Sequence, residues 1–249
     1  MLGGGSDSVL AIDIGATTIK SCVVSARGDQ LEVPRRRATP YPCTPPRLVE
    51  VVSARIDESD NERVGVGFPG DFTDGVVRGP GNLNRPGGVG TDVDPALTAQ
   101  WVGFAFQDAL RGATHRDVRV VNDATMAALG CCDGVGTELV ITLGTGVGLA
   151  MMRDGEMVRV RDVGAAPFRD GRTYDQSLGE RARAEDPDDW FDKLEVAMRG
   201  FIEEFGARVV HLAGGNARRV PPTRFSDLPF EVDVSGNDAP LRGAAKLFA

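Results

Sequence analysis

The sequence predicts an α/β protein, and two features carry that prediction. Apolar, β-branched runs at residues 9–14 and 138–143 end in glycine-containing turns, which is typical of buried strands that enter tight loops. Between such runs, a capping Thr or Asp followed by proline marks helix starts at residues 44–45, 94–95 and 186–187. At 249 residues and 41% hydrophobic composition, the chain can bury the core of one large domain or of two moderate lobes.

The first half of the chain is expected to open with a hairpin and to continue with helices between strands. The turn of the hairpin is residues 15–18. One continuous helix is predicted over residues 94–108, because Leu97, Trp101 and Phe104 follow a helical spacing. Expected strands lie at residues 9–14, 19–25, 64–68 and 118–121, an edge strand lies within 31–42, and helices start at Thr44, Asp94 and Ala124.

The second half is expected to contain another hairpin and the longest helix. The turn at residues 144–148 separates the strands of that hairpin. The longest helix is predicted over residues 186–205, where Trp190 and Leu194 belong to one apolar face. His211 lies inside an apolar strand and is most simply a core histidine bonded to the backbone. The other expected elements are strands at 138–143, 149–152, 208–212 and 230–234, and helices at 174–184 and 238–248.

Composition narrows the classes of partner. The net charge is −8 at pH 7 and the pI is about 4.9, and the triplet Arg35-Arg36-Arg37 is expected to be a solvated turn, so a nucleic acid partner is not expected. Because no apolar segment approaches the ~20 residues that cross a bilayer, no membrane association is expected and the cytoplasm is the default location. Residues 1–8 are expected to form a flexible lead.

Residue spacing disfavours two further classes. The four cysteines, Cys22, Cys43, Cys131 and Cys132, show no CxxC spacing, which argues against a zinc site and against a disulfide framework. The glycines at 144–148 lack the GxGxxG spacing and are followed by strand residues, which disfavours a dinucleotide-dependent dehydrogenase.

Two turns of small residues are candidates for binding phosphate. The turn at residues 15–18 and the turn at residues 144–148 each follow a buried strand, and their exposed backbone N–H groups suit close approach to a phosphate. We expect the two turns to clasp one phosphate chain from both sides. Asp13 precedes the first turn, where a carboxylate either holds a magnesium ion, directly or through water, or caps the turn.

Asp123 is the most informative carboxylate, because it follows Asn122 where a strand gives way to a helix. An Asp at the carboxyl end of a central strand points into the crevice where open α/β sheets bind ligands. Such a group can accept the proton of a hydroxyl whose oxygen attacks phosphorus. The simpler alternative is a helix N-cap, and both roles can hold for this pair. Further along, the turn Gly214-Gly215 permits a flat ring such as adenine to lie against backbone.

Six motifs occur along the chain in a fixed order. They are Asp13-Ile14-Gly15-Ala16-Thr17-Thr18, Gly67-Phe68-Pro69-Gly70, Asn122-Asp123-Ala124, Leu143-Gly144-Thr145-Gly146-Val147-Gly148, Ala213-Gly214-Gly215 and Leu241-Arg242-Gly243-Ala244-Ala245. In this order they resemble the ROK sugar-kinase family over nearly the whole chain. The resemblance is closest to the compact zinc-free branch that includes polyphosphate glucokinases, because segment 162–179 resembles the one that replaces the family's zinc-binding loop.

The resemblance implies an α/β, two-lobed actin-like ATPase (ribonuclease H-like) fold. It implies an N-terminal lobe of residues 1–121, with the closing helix 238–249 packed back on it, and a C-terminal lobe of residues 122–237. The sugar is expected in the cleft, with ATP or polyphosphate across the two glycine turns, Mg²⁺ as cofactor and no structural zinc. The resemblance also suggests a cytoplasmic homodimer whose partners are a sugar acceptor and a phosphoryl donor.

The resemblance further implies roles by position. Asp123 is expected to be the general base, Asn122 to bind a sugar hydroxyl, and Asp13 to be the carboxylate on the magnesium side. Phosphate or nucleotide binding is expected of Asp13, Gly15, Thr17, Thr18, Lys20, Gly144, Thr145, Gly146, Gly214 and Gly215. Sugar binding is expected of Gly67, Asn82, Asn122, Asp123, Asp162 and Asp175.

The sugar-binding motif departs from the family pattern. Where the family has Glu-x-Gly-His or Glu-x-Ala-His-His, residues 162–166 are Asp-Val-Gly-Ala-Ala, and the first phosphate turn carries Ala16 in place of a glycine. Losing a neutral hydrogen bond weakens binding by about 0.5–1.5 kcal/mol, which predicts a weak, altered or lost glucose site. Because Asp123 and the glycine turn at 144–148 are retained, we expect a working kinase that transfers phosphoryl from ATP or polyphosphate to a sugar hydroxyl, with a glucose-like or altered acceptor. The alternative is a catalytically weak or inactive sugar- or nucleotide-binding relative.

Overall fold

The computed structural model describes residues 8–221, 223–236 and 238–249. Of the flexible lead expected at residues 1–8, only Ser8 lies within the described residues, and it begins the first strand. The chain divides into two units. The first comprises the described residues up to Met126 together with Pro240–Ala249, and the second runs from Ala127 to Ala239.

Strands and helices alternate along much of the chain, as predicted for an α/β protein. The strands are β1 (Ser8–Ile14), β2 (Thr18–Ser25), β3 (Arg35–Ala38), β4 (Arg63–Phe68), β5 (Asp71–Thr73), β6 (Val76–Gly79), β7 (Asp117–Asn122), β8 (Thr137–Leu143), β9 (Val147–Arg153), β10 (Glu156–Val158), β11 (Val209–Ala213) and β12 (Glu231–Gly236). The helices are α1 (Pro45–Asp57), α2 (Pro95–Trp101), α3 (Phe106–Thr114), α4 (Asp123–Cys131), α5 (Tyr174–Leu178), α6 (Glu180–Glu185), α7 (Pro187–Phe205) and α8 (Ala239–Lys246).

The first unit is built on a sheet with the strand order β3-β2-β1-β4-β7. β1, β4 and β7 are parallel, whereas β2 pairs antiparallel with both β1 and β3. β1 sends alternate side chains to opposite faces, so Leu10 and Ile12 join a core with Trp101, while Val9 and Ala11 pack with residues of α8. The carboxyl ends of the three parallel strands therefore meet at one edge of a sheet with a core on each face.

The prediction of one continuous helix after Asp94 is wrong, because α2 and α3 are separate helices. Gly103 interrupts them with a φ of +84°, a left-handed value that favours glycine. The N–H of Gly103 donates to the carbonyl of Val77 at 2.9 Å, and the N–H of Val77 donates to the carbonyl of Phe104 at 3.0 Å. These bonds to β6 take the backbone groups that a continued helix needs. Trp101 is nevertheless fully buried, as predicted.

Two other sequence predictions are corrected by the structure. The arginine triplet is exposed as expected, but it belongs to β3, the edge strand expected within residues 31–42, and not to a turn. The helix predicted over residues 174–184 is divided into α5 and α6 at Gly179. A Cβ on Gly179 would lie 2.5 Å from the carbonyl oxygen of Asp175 in α5 and 2.5 Å from that of Thr145, so the end of α5 passes close to the turn after β8.

The second unit contains a sheet with the strand order β10-β9-β8-β11-β12, in which β8, β11 and β12 are parallel. α7 buries Trp190 and Leu194 in its core, as predicted. His211 does not bond to the backbone as expected, since its ring nitrogens contact the carboxylates of Glu138 and Asp233. Among the helices described in both units, none is long and apolar enough to cross a membrane.

Candidate active site

Asn122 and Asp123 lie where β7 passes directly into α4. In the sheet register, Asp13 is opposite Gly67, and the next residue, Phe68, is opposite Asn122. Since the three strands are parallel, they bring Asp13, Gly67 and Asn122 to the same edge of the sheet in the first unit. This edge is where open α/β sheets bind ligands.

Hydrogen bonds fix the carboxylate of Asp123, which is half-buried. Its Oδ1 accepts from the N–H of Ala124 at 2.8 Å and from Nδ2 of Asn122 at 3.1 Å. Asn122 also donates to the carbonyl of Gly70 at 2.7 Å and accepts from the N–H of Thr125 at 3.1 Å. Asn122 is thus a cap of α4, and the same side chain orients the neighbouring carboxylate.

Gly67 lies against the start of α4. A Cβ on Gly67 would lie 2.7 Å from Cε of Met126, so the absence of a side chain makes room for this residue of α4 against β4. Asn82 lies in the 3₁₀ turn Gly81–Asn84, and its Oδ1 accepts from Nε of Arg85 at 3.1 Å. For both residues, sugar binding stays a prediction.

The turn at residues 15–18 is anchored from one side. The hydroxyl of Thr39 donates to the carbonyl of Gly15 at 2.7 Å, and the hydroxyl of Tyr41 donates to the carbonyl of Ala16 at 2.6 Å. Because a trans peptide directs its C=O and N–H in opposite directions, the N–H groups of residues 16 and 17 point away from these anchors. Burial raises the pKa of Tyr41 to about 12, so its hydroxyl remains a donor at neutral pH.

Asp13 and Lys20 form an ion pair beside this turn. Nζ of Lys20 lies 2.8 Å from Oδ2 of Asp13, and only 11% and 12% of the two side chains are exposed. The turn itself is closed by a backbone bond of 3.0 Å from the N–H of Gly15 to the carbonyl of Thr18, so it does not need Asp13 as a cap. A cation that attracts phosphate and a carboxylate that suits magnesium thus lie next to the turn.

In the second unit, Asn216 ties the glycine turn after β8 to the one after β11. Its Nδ2 donates to the carbonyl of Gly144 at 3.0 Å, and its N–H donates to the carbonyl of Leu143 at 2.9 Å. Gly214 has a φ of +91°, and a Cβ there would lie 2.5 Å from the carbonyl oxygen of Leu143. The predicted phosphate residues 144–146 and the predicted adenine-side glycines therefore lie together.

Asp175 supports the turn after β8. Its Oδ1 accepts from the N–H of Val147 at 2.7 Å. A Cβ on Gly146 or on Gly164 would lie 2.5 Å or 2.8 Å from that same oxygen, so both glycines make room for the carboxylate. Asp162 is exposed, and its Oδ1 accepts from the N–H of Gly164 at 3.0 Å. The two acids of the predicted sugar motif thus differ, since one is packed against the turn and the other is at the surface.

Residues 9–165 match the protein-family model described as the ROK family. The chain belongs to the ROK family. It is similar to the polyphosphate glucokinase of Mycobacterium leprae, with 26% identity over an alignment of 251 positions. The alignment covers 94% of this chain and 72% of that protein. It is also similar to the glucokinase of Halalkalibacterium halodurans, with 28% identity over 163 residues. That alignment covers 60% of this chain and 45% of the glucokinase, so the chain spans less than half the length of this relative.

The structure is similar to a solved one, the inorganic polyphosphate/ATP-glucomannokinase of Arthrobacter sp. strain KM. The TM-score is 0.78 at 28% identity, and the alignment covers 97% of this ROK-family chain and 98% of that one. This likeness confirms the predicted fold class. The chain has the α/β, two-lobed actin-like ATPase fold.

Sequence reasoning missed three residues that hold the candidate binding turns, Thr39 and Tyr41 in the first unit and Asn216 in the second. Thr39 and Tyr41 are 24 and 25 residues away from the carbonyls that they bind, and Asn216 is 72 residues from Gly144. The place of Asn216 directly after two glycines was a signal for it. Thr39 and Tyr41 carry no comparable local signal, since both follow an ordinary edge strand.

Proposed function

We propose that this ROK-family chain is a sugar kinase that transfers a phosphoryl group from ATP or polyphosphate to a sugar hydroxyl. The proposal rests mainly on the position of the Asp123 carboxylate. Asn122 orients this carboxylate at the edge of the first sheet where Asp13 also lies. The relatives support it by name, as a glucokinase, a polyphosphate glucokinase and a polyphosphate/ATP-glucomannokinase. The cytoplasmic location and the homodimer stay predictions.

Asp123 is the proposed general base. The oxygen of the sugar hydroxyl forms a bond to the terminal phosphorus of the donor, while the bond from that phosphorus to its bridging oxygen breaks. The hydroxyl proton passes to the carboxylate of Asp123. A well-placed base contributes about 10²–10⁴-fold to the rate, and the two hydrogen bonds to Oδ1 supply that placement.

The phosphates of the donor are proposed to bind the backbone N–H groups of the turns at 15–18 and 144–148. Lys20 adds a positive charge beside the first turn. Asp13 offers a hard carboxylate oxygen, and a single acid fits magnesium because this ion keeps several waters and is completed by substrate phosphates. When bound, magnesium neutralises phosphate charge. With ATP as donor, the turn at 214–215 is proposed to contact the adenine.

The acceptor is proposed to be a sugar recognised differently from glucose in the related kinases. Ala165 and Ala166 stand where the resemblance leads us to expect imidazoles. Asp162 is exposed, and Asp175 is already engaged with the N–H of Val147. Fewer side-chain donors in this segment support a weakened or altered preference for glucose.

An acceptor panel tests the proposal. Purified protein is incubated with Mg²⁺, with ATP or polyphosphate, and with a set of hexoses and N-acetylhexosamines, and the sugar phosphate is quantified. We expect Asp123→Asn to lower kcat by about 10²–10⁴-fold. Asp60→Asn, which changes an exposed acid of the same unit, is the matched control and is expected to keep the wild-type kcat.

Two results count against the proposal. Wild-type turnover by Asp123→Asn would show that Asp123 is not the general base. The absence of product with every acceptor and both donors would show that the protein is not a sugar kinase. The second candidate is a catalytically weak or inactive binding protein, which the altered residues 162–166 favour. Calorimetry distinguishes it, because such a protein binds nucleotide or sugar without forming product.

A further inference from the structure

A group of metal-ligating side chains lies in the second unit, at the opposite end of β8 from its glycine turn. Cys132 follows α4, Glu138 is near the start of β8, and His211 is in the middle of β11. A thiol sulfur, a carboxylate oxygen and a ring nitrogen from these residues lie within 4.8 Å of one another. We propose that Cys132, Glu138 and His211 bind a divalent metal ion, and that Zn²⁺ is the ion that fits them.

His211 is oriented for such a role. Its Nδ1 lies 3.1 Å from Oδ2 of Asp233, and its Nε2 lies 2.8 Å from Oε2 of Glu138. A metal-bound histidine almost always donates a hydrogen bond from its other ring nitrogen to a carboxylate or carbonyl, and this bond fixes the ring orientation. Asp233 provides that contact here. The nitrogen Nε2 is thereby directed to the place where Glu138 and Cys132 converge.

Glu138 is held in position from the other side. It is fully buried, and its two oxygens accept from the N–H groups of Gly134 at 2.7 Å and Asp133 at 3.2 Å. A buried carboxylate requires compensating charge. The guanidinium of Arg208 lies 3.8 Å away and is shared with the carboxylate of Asp133 at 2.9 Å. A divalent cation bound between Glu138 and Cys132 supplies further compensating charge.

The donor set selects the ion. A thiolate with an imidazole and a carboxylate suits zinc, whereas magnesium and calcium prefer oxygen ligands alone. Zinc bonds of about 2.3 Å to sulfur and about 2.0–2.2 Å to nitrogen and oxygen place the ligand atoms roughly 3.5 Å apart in a tetrahedron. Nε2 of His211 and Oε2 of Glu138 are 2.8 Å apart, and Sγ of Cys132 is at most 4.8 Å from the ligand atoms of both residues. Small side-chain rotations therefore bring the three atoms to the separation that a zinc ion requires. The fourth position falls to water or to the adjacent Cys131 thiol.

Spacing along the chain cannot reveal this group, because His211 and Glu138 are 73 residues apart. The absence of CxxC spacing argued against a zinc site among the four cysteines, Cys132 included, and the proposal departs from that expectation. Cys132 comes nine residues after Asp123 in the chain, and no part in the phosphoryl transfer is proposed for the metal. Its role is structural, tying the end of α4 to β8 and β11.

Titration of the metal-stripped full-length protein tests the proposal. Zn²⁺ binding is followed by calorimetry, and Co²⁺ binding by the thiolate-to-cobalt charge-transfer band. We expect one equivalent of metal, a cobalt–thiolate band, and affinity lowered at least about tenfold in Cys132→Ser, His211→Gln and Asp233→Asn. Cys43→Ser is the control, since Cys43 is buried in the core of the first unit and does not belong to this group.

Wild-type protein that gives no cobalt–thiolate band overturns the proposal without recourse to any variant. Stoichiometric binding that persists unchanged in both Cys132→Ser and His211→Gln also overturns it. Circular dichroism verifies that each variant is folded. In the supporting case, zinc at about 100 times its Kd raises the folded-to-unfolded ratio of the wild type about 100-fold, and that of Cys132→Ser much less.

Discussion

At the scale of the residue, Thr39 shows how one buried hydroxyl supports the turn at residues 15–18. It is 6% exposed and donates to the carbonyl of Gly15 at 2.7 Å. Thr39→Val removes the donor, and a neutral hydrogen bond is worth about 0.5–1.5 kcal/mol. We therefore expect the KM for the phosphoryl donor to rise about 2- to 10-fold, with a smaller change in the KM for the sugar. Steady-state kinetics with each substrate varied in turn measures the difference.

Thr39→Ser is the matched control, because serine keeps the hydroxyl. It is expected to have the wild-type KM for the donor. If Thr39→Ser is impaired as much as Thr39→Val, the hydroxyl is not the cause. Equal changes in the two KM values would mean that Thr39 supports the fold in general and not the phosphate turn.

The sequence predicted the place in the fold of residues whose surroundings are mostly local. Asp123 stands at a junction of strand and helix, and Gly214 ends an apolar strand, so a few neighbours define each environment. Thr39 is different, since it binds a carbonyl group 24 residues away and has no local signal; Asn216 follows two glycines, which is a signal, but the carbonyl that it binds is 72 residues away. Only folding brings such partners together. The same is true of His211, whose contacts with two carboxylates belong to the sheet and not to its own strand.

At the scale of the element, the break between α2 and α3 depends on Gly103. Its φ of +84° is strained for any L side chain, although a Cβ there meets nothing within 4 Å. We expect Gly103→Ala to lower the free energy of unfolding by about 1–2 kcal/mol through the backbone alone. Gly112 in α3 also has open space and keeps a helical backbone, so Gly112→Ala is expected to raise stability by about 0.5–1 kcal/mol.

Urea unfolding followed by circular dichroism measures both variants of this matched pair. Opposite shifts of the midpoint are expected. A stabilised Gly103→Ala would mean that the backbone there is free to become helical, as the spacing of Leu97, Trp101 and Phe104 suggested. That spacing indicated correctly which side chains belong to the core. It could not indicate the bonds from Gly103 and Phe104 to β6, which decide the path of the backbone.

At the scale of the whole molecule, charge bears on the identity of the donor. The net charge of −8 repels a polyanion, so a polyphosphate donor requires a local basic surface. The edge strand β3 exposes Arg35, Arg36 and Arg37, and Arg36 is opposite Lys20 in the sheet. Arg35 pairs with Glu58 at 3.2 Å, which partly neutralises it. Arg36 and Arg37 therefore supply most of the positive charge along this edge.

A long polyphosphate that binds at the turn of residues 15–18 has further phosphates to extend along β3, whereas ATP has none. We expect the double variant Arg36→Gln and Arg37→Gln to raise the KM for long-chain polyphosphate about 2- to 30-fold, at about 0.2–1 kcal/mol for each of the two exposed arginines, and to change the KM for ATP less. Arg27→Gln, another exposed arginine of the first unit, is the control. The difference is expected to shrink in salt approaching 1 M, where the Debye length falls to about 3 Å. Equal increases in the KM for both donors would contradict this prediction. They would mean that the two arginines act on the turn at residues 15–18, which both donors contact, and not on the phosphates that only polyphosphate extends along β3.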